Sequence, residues 1–218
     1  RIDWSVPKEP TWIFPCTSSE FKFTGNTLKI HVKNKNEYWQ NYLGCILDNV
    51  QSRFYIKKEG ETKIEVRVNE NETGVHHVLF FKRQDSCHEV TILGYEIEDG
   101  EKLLELPKKT DKRIEVYGDS VSAGEVSEAV DFVGKEDPEH EGGYSNSYYS
   151  YGWILARKLG AQIHDIAQGG IALMDGEGWY HEPEQIGMET VWNKVHRCRR
   201  SGWQSRYRRW WEQCPKCR

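Results

Sequence analysis

From Phe21 to Asn34 the chain reads FKFTGNTLKIHVKN, apolar and polar residues alternating on both sides of Gly25-Asn26. A period of two places every second side chain on one face of an extended strand, which suits a half-buried sheet and not a helix. The Gly-Asn pair between the two runs predicts a hairpin. KIEVRVNENETGVHHVLFFKRQ repeats the device, with Ile64, Val66 and Val68 on one face and a polar loop from Glu70 to Gly74. EVTILGYEIEDG adds another strand and turn. Short alternating strands spaced by turns predict a β-sandwich over residues 1 to about 98.

DGEKLLELPKKTDKR breaks this pattern with Pro107 and a run of charge, and reads as a linker with exposed backbone. Beyond it the pattern becomes strand, turn, helix, strand. Ile114 to Tyr117 is the first strand. NSYYSYGWILARKLG sets Tyr148, Tyr151, Ile154, Leu155 and Leu159 at helical spacing and stops at Gly160, a C-terminal cap. AQIHDIAQGG is the second strand, ending in the pair Gly169-Gly170. Strands alternating with helices predict a parallel α/β sheet. The expected division is therefore residues 1–105 for the β domain, 111–193 for part of an α/β domain, and 194–218 for an atypical basic tail.

Charge narrows the partners. From Lys194 onward the tail holds nine Lys or Arg against the single Glu212, so the net charge of −4 conceals an acidic body near −12. An acidic body repels phosphate backbones, which argues against nucleic acid and for a neutral ligand. No run of eighteen apolar residues exists to span a membrane. The six cysteines show no compact disulfide spacing, and Cys16, Cys45 and Cys87 read as buried free thiols. Cys214-Pro-Lys-Cys217 has half the spacing of a zinc or redox site without a second pair beside it. The chain starts at Arg1 without Met or a charged-then-apolar leader, which leaves a removed signal peptide and a fragment equally open.

The chemistry concentrates in RIEVYGDSVSAGE, residues 113–125, where a strand runs into Gly-Asp-Ser and then into small residues. A serine there meets the free N–H groups of a helix start, which face the space where an oxyanion would form. Gly118 permits a tight turn, and Ser122, Ala123 and Gly124 leave room for a carbonyl. The Gly-x-Ser-x-Gly elbow is not satisfied whether Ser120 or Ser122 is taken as nucleophile, so a different serine-hydrolase architecture is implied. The alternative is an ordinary turn with a capping serine.

IEVYGDSVSAGE, EGGYSNSYYSYGWILARKLGAQ and IAQGGIALMDGEGWY together resemble carbohydrate esterase family 2, a branch of the Ser-Gly-Asn-His (SGNH, GDSL-type) hydrolases. The resemblance covers residues from about 10 to 193. It implies an N-terminal β jelly roll joined to a flavodoxin-like esterase domain. It also implies a secreted, extracellular acetyl xylan esterase-type enzyme that removes acetyl groups from xylan or glucomannan, with no metal or organic cofactor. Ser120 is then the nucleophile, and the N–H groups of Ser120 and Gly170 form the oxyanion hole. The family's Gly-x-Asn-Asp block and its late histidine block are absent. After GMETVWNKV the family pattern stops, as expected of a fragment or a changed reading frame near Lys194. His140, His164, His181 and His196 remain as candidate bases without a matching motif, and His164, on the second strand, reads as structural. Activity of the chain itself is open. The alternative is a non-catalytic carbohydrate-binding protein with a remnant esterase domain. Trp179 and Tyr180 follow the second glycine turn as either sugar-stacking or core residues.

Overall fold

The computed structural model describes residues 1–68, 74–139 and 141–196. The expected loop at residues 70–73, His140, Cys198, Cys214 and Cys217 lie outside the described residues, as does the tail from residue 197. The strands in chain order are β1 (Ile2–Asp3), β2 (Thr11–Trp12), β3 (Ser18–Thr24), β4 (Thr27–Asn36), β5 (Asn41–Leu47), β6 (Val50–Ile56), β7 (Glu61–Arg67), β8 (Val75–Lys82), β9 (His88–Ile97), β10 (Leu103–Leu104), β11 (Arg113–Gly118) and β12 (Gln162–Ala167). They form two five-stranded sheets, ordered β1-β2-β9-β4-β7 and β10-β3-β8-β5-β6, and a parallel pair, β11-β12. Every pairing in the five-stranded sheets is antiparallel.

Alternation carries directly into burial. Along β4, Leu28, Ile30 and Val32 are inside, and they face Val66, Ile64 and Thr62 of β7 in register. Phe23, Leu43, Ile56, Val78 and Phe80 from the other sheet close the same core. The two sheets thus pack face to face, as expected of a sandwich.

The expected hairpin at Gly25-Asn26 is not one. β3 and β4 lie in different sheets, so this turn carries the chain across the sandwich. β7 and β8 are likewise split between sheets. Alternation says that each strand buries one face, but both a hairpin and a crossing satisfy that condition. The tight two-residue hairpin is instead β5–β6, where Asp48 and Asn49 both have positive φ (47° and 71°) and Leu47 pairs with Val50, the geometry of a type I′ turn. Leu103-Leu104, read as linker, forms edge strand β10 on β3.

The later residues pair β11 and β12 in parallel from Arg113↔Gln162 to Gly118↔Ala167. Two helices flank them, α1 (Ser120–Ala123) and α2 (Tyr151–Leu159), and a third short helix, α3 (Met188–Val191), follows. Ser150 caps α2 by accepting from Trp153 N (3.3 Å), and Gly160 ends it in the left-handed conformation, where the sequence placed the stop. The buried face of α2 differs from the expected one. Gly152, Trp153 and Ala156 face inward, while Tyr151, Leu155 and Leu159 are about half exposed (54%, 47% and 53%). Gly152 and Ala156 let the helix lie close on β11 and β12, and Trp153 fills the space beside them against Phe81.

A seam joins the sandwich to this α/β part. Residues 81–90 are all buried, although seven of them, Lys82 to Ser86, His88 and Glu89, are polar or charged. Phe81 packs edge-on to Trp153 (5.4 Å between centroids) and near Tyr148. Ser147 donates to Lys82 O (2.7 Å) and its N–H bonds Arg83 O (2.9 Å). Cys16 Sγ contacts Asp165 Oδ2 (3.4 Å) across the same seam. Burial pushes the Asp165 carboxyl up to about 8. Cys16 and Cys45 are free and buried as expected, whereas Cys87 is disulfide-bonded, correcting the free-thiol reading. Phe81→Ala should open this seam and cost about 3–5 kcal/mol, the usual range for deleting a buried aromatic. Urea denaturation measures it; a loss below about 1 kcal/mol would mean that the ring is not structural.

Candidate active site

β11 ends at Gly118, and the chain turns there because Ser122 folds back over it. A Cβ at position 118 would collide with the Ser122 side chain. Ser122 Oγ is bonded to Tyr151 OH (2.8 Å) and is buried, so this serine is spent on the turn. Asp119 caps α1, its carboxylate accepting from Val121 N (3.0 Å). Ser120, the first residue of α1, is half-buried, and its Oγ makes no hydrogen bond to another described residue. The first N–H groups of a helix have no intrahelical acceptor, which leaves the Ser120 N–H available locally.

β12 delivers the second loop to the same end of the pair. Gln168 N donates to Gly118 O (3.0 Å), tying the two loops together. Gly169 N donates to Asp85 Oδ2 (2.8 Å), and Gly170 follows with φ of +76°. The Gly170 carbonyl accepts from Trp179 N (2.8 Å) and Tyr180 N (3.1 Å), whereas its N–H is bonded to no described residue. Of the aromatic pair after this loop, Trp179 is exposed (78%) and Tyr180 is buried with Ile171, Met188 and Val191.

The histidines stand apart from Ser120. His164 Nδ1 lies 3.4 Å from Glu115 Oε1 on the strand. His196 is held between Glu89 (3.0 Å) and Asp3 (2.6 Å); burial lowers its pKa, but these two carboxylates outweigh burial and raise it. His181 packs edge-on to Tyr180. None is hydrogen-bonded to Ser120.

Sequence reading missed an acidic cleft beside the Gly169 loop. A cleft between the sandwich and the α/β part is lined by Tyr38, Asp85, His88, Ala123, Glu125 and Ser145. Arg83-Gln84 closes the second β stretch read from the sequence, and nothing local marks the burial of Asp85 and Ser86 beyond it. Asp85 is nevertheless held ionised: burial raises its pKa, and hydrogen bonds from His88 and Tyr38 with the charges of His88 and Lys82 bring it to about 2. Glu125 shows the opposite outcome. Burial first, then the charges of Asp85, Asp137 and Asp119, push its carboxyl up to about 7. A carboxyl raised from 4.5 in this way favours folding fully below its unfolded pKa, and the benefit is lost as pH rises through about 7. Glu125→Gln should therefore leave stability unchanged at acid pH and raise Tm at about pH 8, by roughly 2–4 °C for each ~1 kcal/mol relieved. Thermal melts of both proteins across that range check it; equal melts at every pH would mean that the folded structure does not raise the Glu125 carboxyl.

Comparison with known proteins agrees with this architecture. Residues 1–107 match the carbohydrate esterase 2 N-terminal family. The chain is 31% identical over 174 residues to the cellulase/esterase CelE of Acetivibrio thermocellus, covering 79% of this chain and 20% of that protein. It is 27% identical over 164 residues to an acetylxylan esterase / glucomannan deacetylase of Cellvibrio japonicus, covering 75% and 44%. A family two carbohydrate esterase from Clostridium thermocellum, solved in complex with cellohexaose, superposes with a TM-score of 0.76 at 25% identity, over 89% of this chain and 56% of that one. The Cellvibrio japonicus family two esterase has the same fold, with a TM-score of 0.74 at 19% identity. The chain thus spans between about a fifth and about half of these relatives' lengths. By these matches the chain belongs to carbohydrate esterase family 2.

Proposed function

We propose that this chain carries the nucleophile half of a serine esterase that removes O-acetyl groups from plant polysaccharides such as xylan or glucomannan, acting outside the cell. In this reading residues 1–105 are a jelly-roll domain, and residues 111–193 are the first part of a flavodoxin-like SGNH domain. The observation that carries it is the placing of Ser120 Oγ at the strand end tied to the Gly169-Gly170 loop, where neither this oxygen nor the Gly170 N–H is bonded to a described residue. The relatives' names supply the substrate class: one is an acetylxylan esterase / glucomannan deacetylase, and one solved structure holds cellohexaose.

Ser120 Oγ attacks the acetyl carbonyl and passes its proton to a base. The carbonyl oxygen becomes an oxyanion between the N–H groups of Ser120 and Gly170, the sugar hydroxyl leaves, and water releases acetate from the acyl-enzyme. Trp179, exposed beside the Gly170 carbonyl, offers a face for a sugar ring. The base must come within about 3 Å of Ser120 Oγ, and no described histidine is bonded there. That last observation favours a second reading, in which the chain binds glycan without turnover.

Acetate release from acetylated glucomannan and 4-nitrophenyl acetate separates the two. It is measured for the parent and Ser120→Ala, with and without imidazole as a base supplied from solution. Release that falls by about 10²-fold or more in the variant, the usual weight of an assisted nucleophile, supports the esterase. Equal rates in both proteins with saturable cellohexaose binding would replace it by the second reading.

A further inference from the structure

The seam between the two parts of the chain holds a device that the esterase chemistry above does not use. Asp85 leaves the end of the sandwich in the buried run 83–88. Its Oδ1 accepts from Cys87 N (3.1 Å) and from His88 Nδ1 (2.9 Å), both on its own side. Its Oδ2 accepts from Tyr38 OH, and from two groups across the seam, Gln168 Nε2 (2.8 Å) and Gly169 N (2.8 Å). The Asp85 main-chain carbonyl is fixed by Lys82 Nζ and His88 N. Ser86 reaches across as well, donating to Gln168 Oε1.

The approach is possible only because residue 169 is glycine. A Cβ there would stand 2.9 Å from Asp85 Oδ2 and 3.1 Å from Glu125 Oε2. Gly169 and Gly170 are the two backbone units that decide where the loop aims its N–H groups. The first donates to Asp85, and the carbonyl of the second is held by Trp179 N and Tyr180 N. The Gly170 N–H between them is therefore bracketed on both sides.

We infer that Asp85, supplied by the β-sandwich, is a positioning residue that aims the Gly170 N–H at the oxyanion by holding the N–H of Gly169. The inference rests on the esterase reading for what Gly170 does, and on the geometry alone for what Asp85 does. It gives the sandwich a part in the reaction beyond that of a neighbour. It also accounts for the unequal fates of two adjacent N–H groups: the carboxylate takes one and leaves the other for the substrate. A charge-assisted bond is stronger and shorter than a neutral one, so it holds a glycine-rich loop that has little stiffness of its own.

Gln168-Gly169 is the only Gln-Gly pair in the chain. Labelling glutamine carbonyls with ¹³C and glycine amides with ¹⁵N therefore isolates the Gly169 amide in one NMR signal. In the parent this proton should be shifted downfield and protected from exchange. In Asp85→Asn it should move upfield and exchange roughly 10-fold to 100-fold faster, the loss of one hydrogen bond to a charged group. In the Ser120-dependent assay with imidazole, kcat should fall by about 10²-fold, the scale of a misaimed group, with KM nearly unchanged. An unmoved Gly169 signal would overturn the inference. So would a displaced signal with kcat intact and only KM or Tm changed, which a merely structural role would give. If Asp85→Asn does not fold, Gly169→Ala applies the same test with ¹⁵N-alanine in place of ¹⁵N-glycine, since the chain has no other Gln-Ala pair and the added methyl must push against the carboxylate without removing charge. Absence of Ser120-dependent turnover in the parent would remove the esterase reading instead, and the Gly169 signal would still decide whether Asp85 holds the loop.

Discussion

An ionised carboxylate buried away from water is costly unless its lone pairs are filled by donors. Asp85 meets that requirement with side-chain and backbone donors drawn from both sides of the seam. Tyr38 and His88 come from the sandwich, Gln168 and Gly169 from the parallel-strand part. Neither part alone completes the set. The carboxylate therefore fixes the two parts against each other more specifically than apolar contact could, since hydrogen bonds specify direction as well as distance.

Around it the seam is built from groups that would be ill placed at a surface. Lys82 is fully buried, and burial drops its ammonium to about 7 while Asp85 and Glu89 pull the other way. Its amine spends its hydrogens on the carbonyls of Gln84 and Asp85. Arg83 donates to Glu128 (2.7 Å) across the seam. Phe81, Trp153 and Ala156 supply the apolar filling beside this polar run. Residues 81–90 thus serve the sandwich through the ends of β8 and β9 and the later part, through the turn between them, as an inserted wall.

The consequence for the site is electrostatic as well as geometric. Burial first, and then the negative charge fixed at Asp85, drives the Glu125 carboxyl towards its neutral form. Two neighbouring carboxyls in different protonation states are the usual result of like charges sharing a low-dielectric space. The α1 helix is only four residues long, so its macrodipole adds little at that end of β11.

Local periodicity determined a good deal by itself. The β character of the first hundred residues, the strand ending at Gly118, the α2 helix with its stop at Gly160, and the strand running into Gly169-Gly170 are all readable in sequence, because strand and helix periods and cap chemistry act over a few residues. The pairing of strands was not readable. Gly25-Asn26 crosses between sheets, since alternation constrains which face a strand buries and not which neighbour it takes. The inward face of α2 went to Gly152 and Ala156, which permit close packing on β11 and β12, and to Trp153, which packs on Phe81 of the sandwich; helical spacing of large apolar residues reveals neither partner. Asp85 was the least legible of all. Nothing in the residues around it marks its burial, which depends on Gln168 and Gly169, more than eighty residues away, being folded against it. Only tertiary structure can bring a carboxylate and its donors together, because hydrogen bonds between distant segments leave no periodic mark on either.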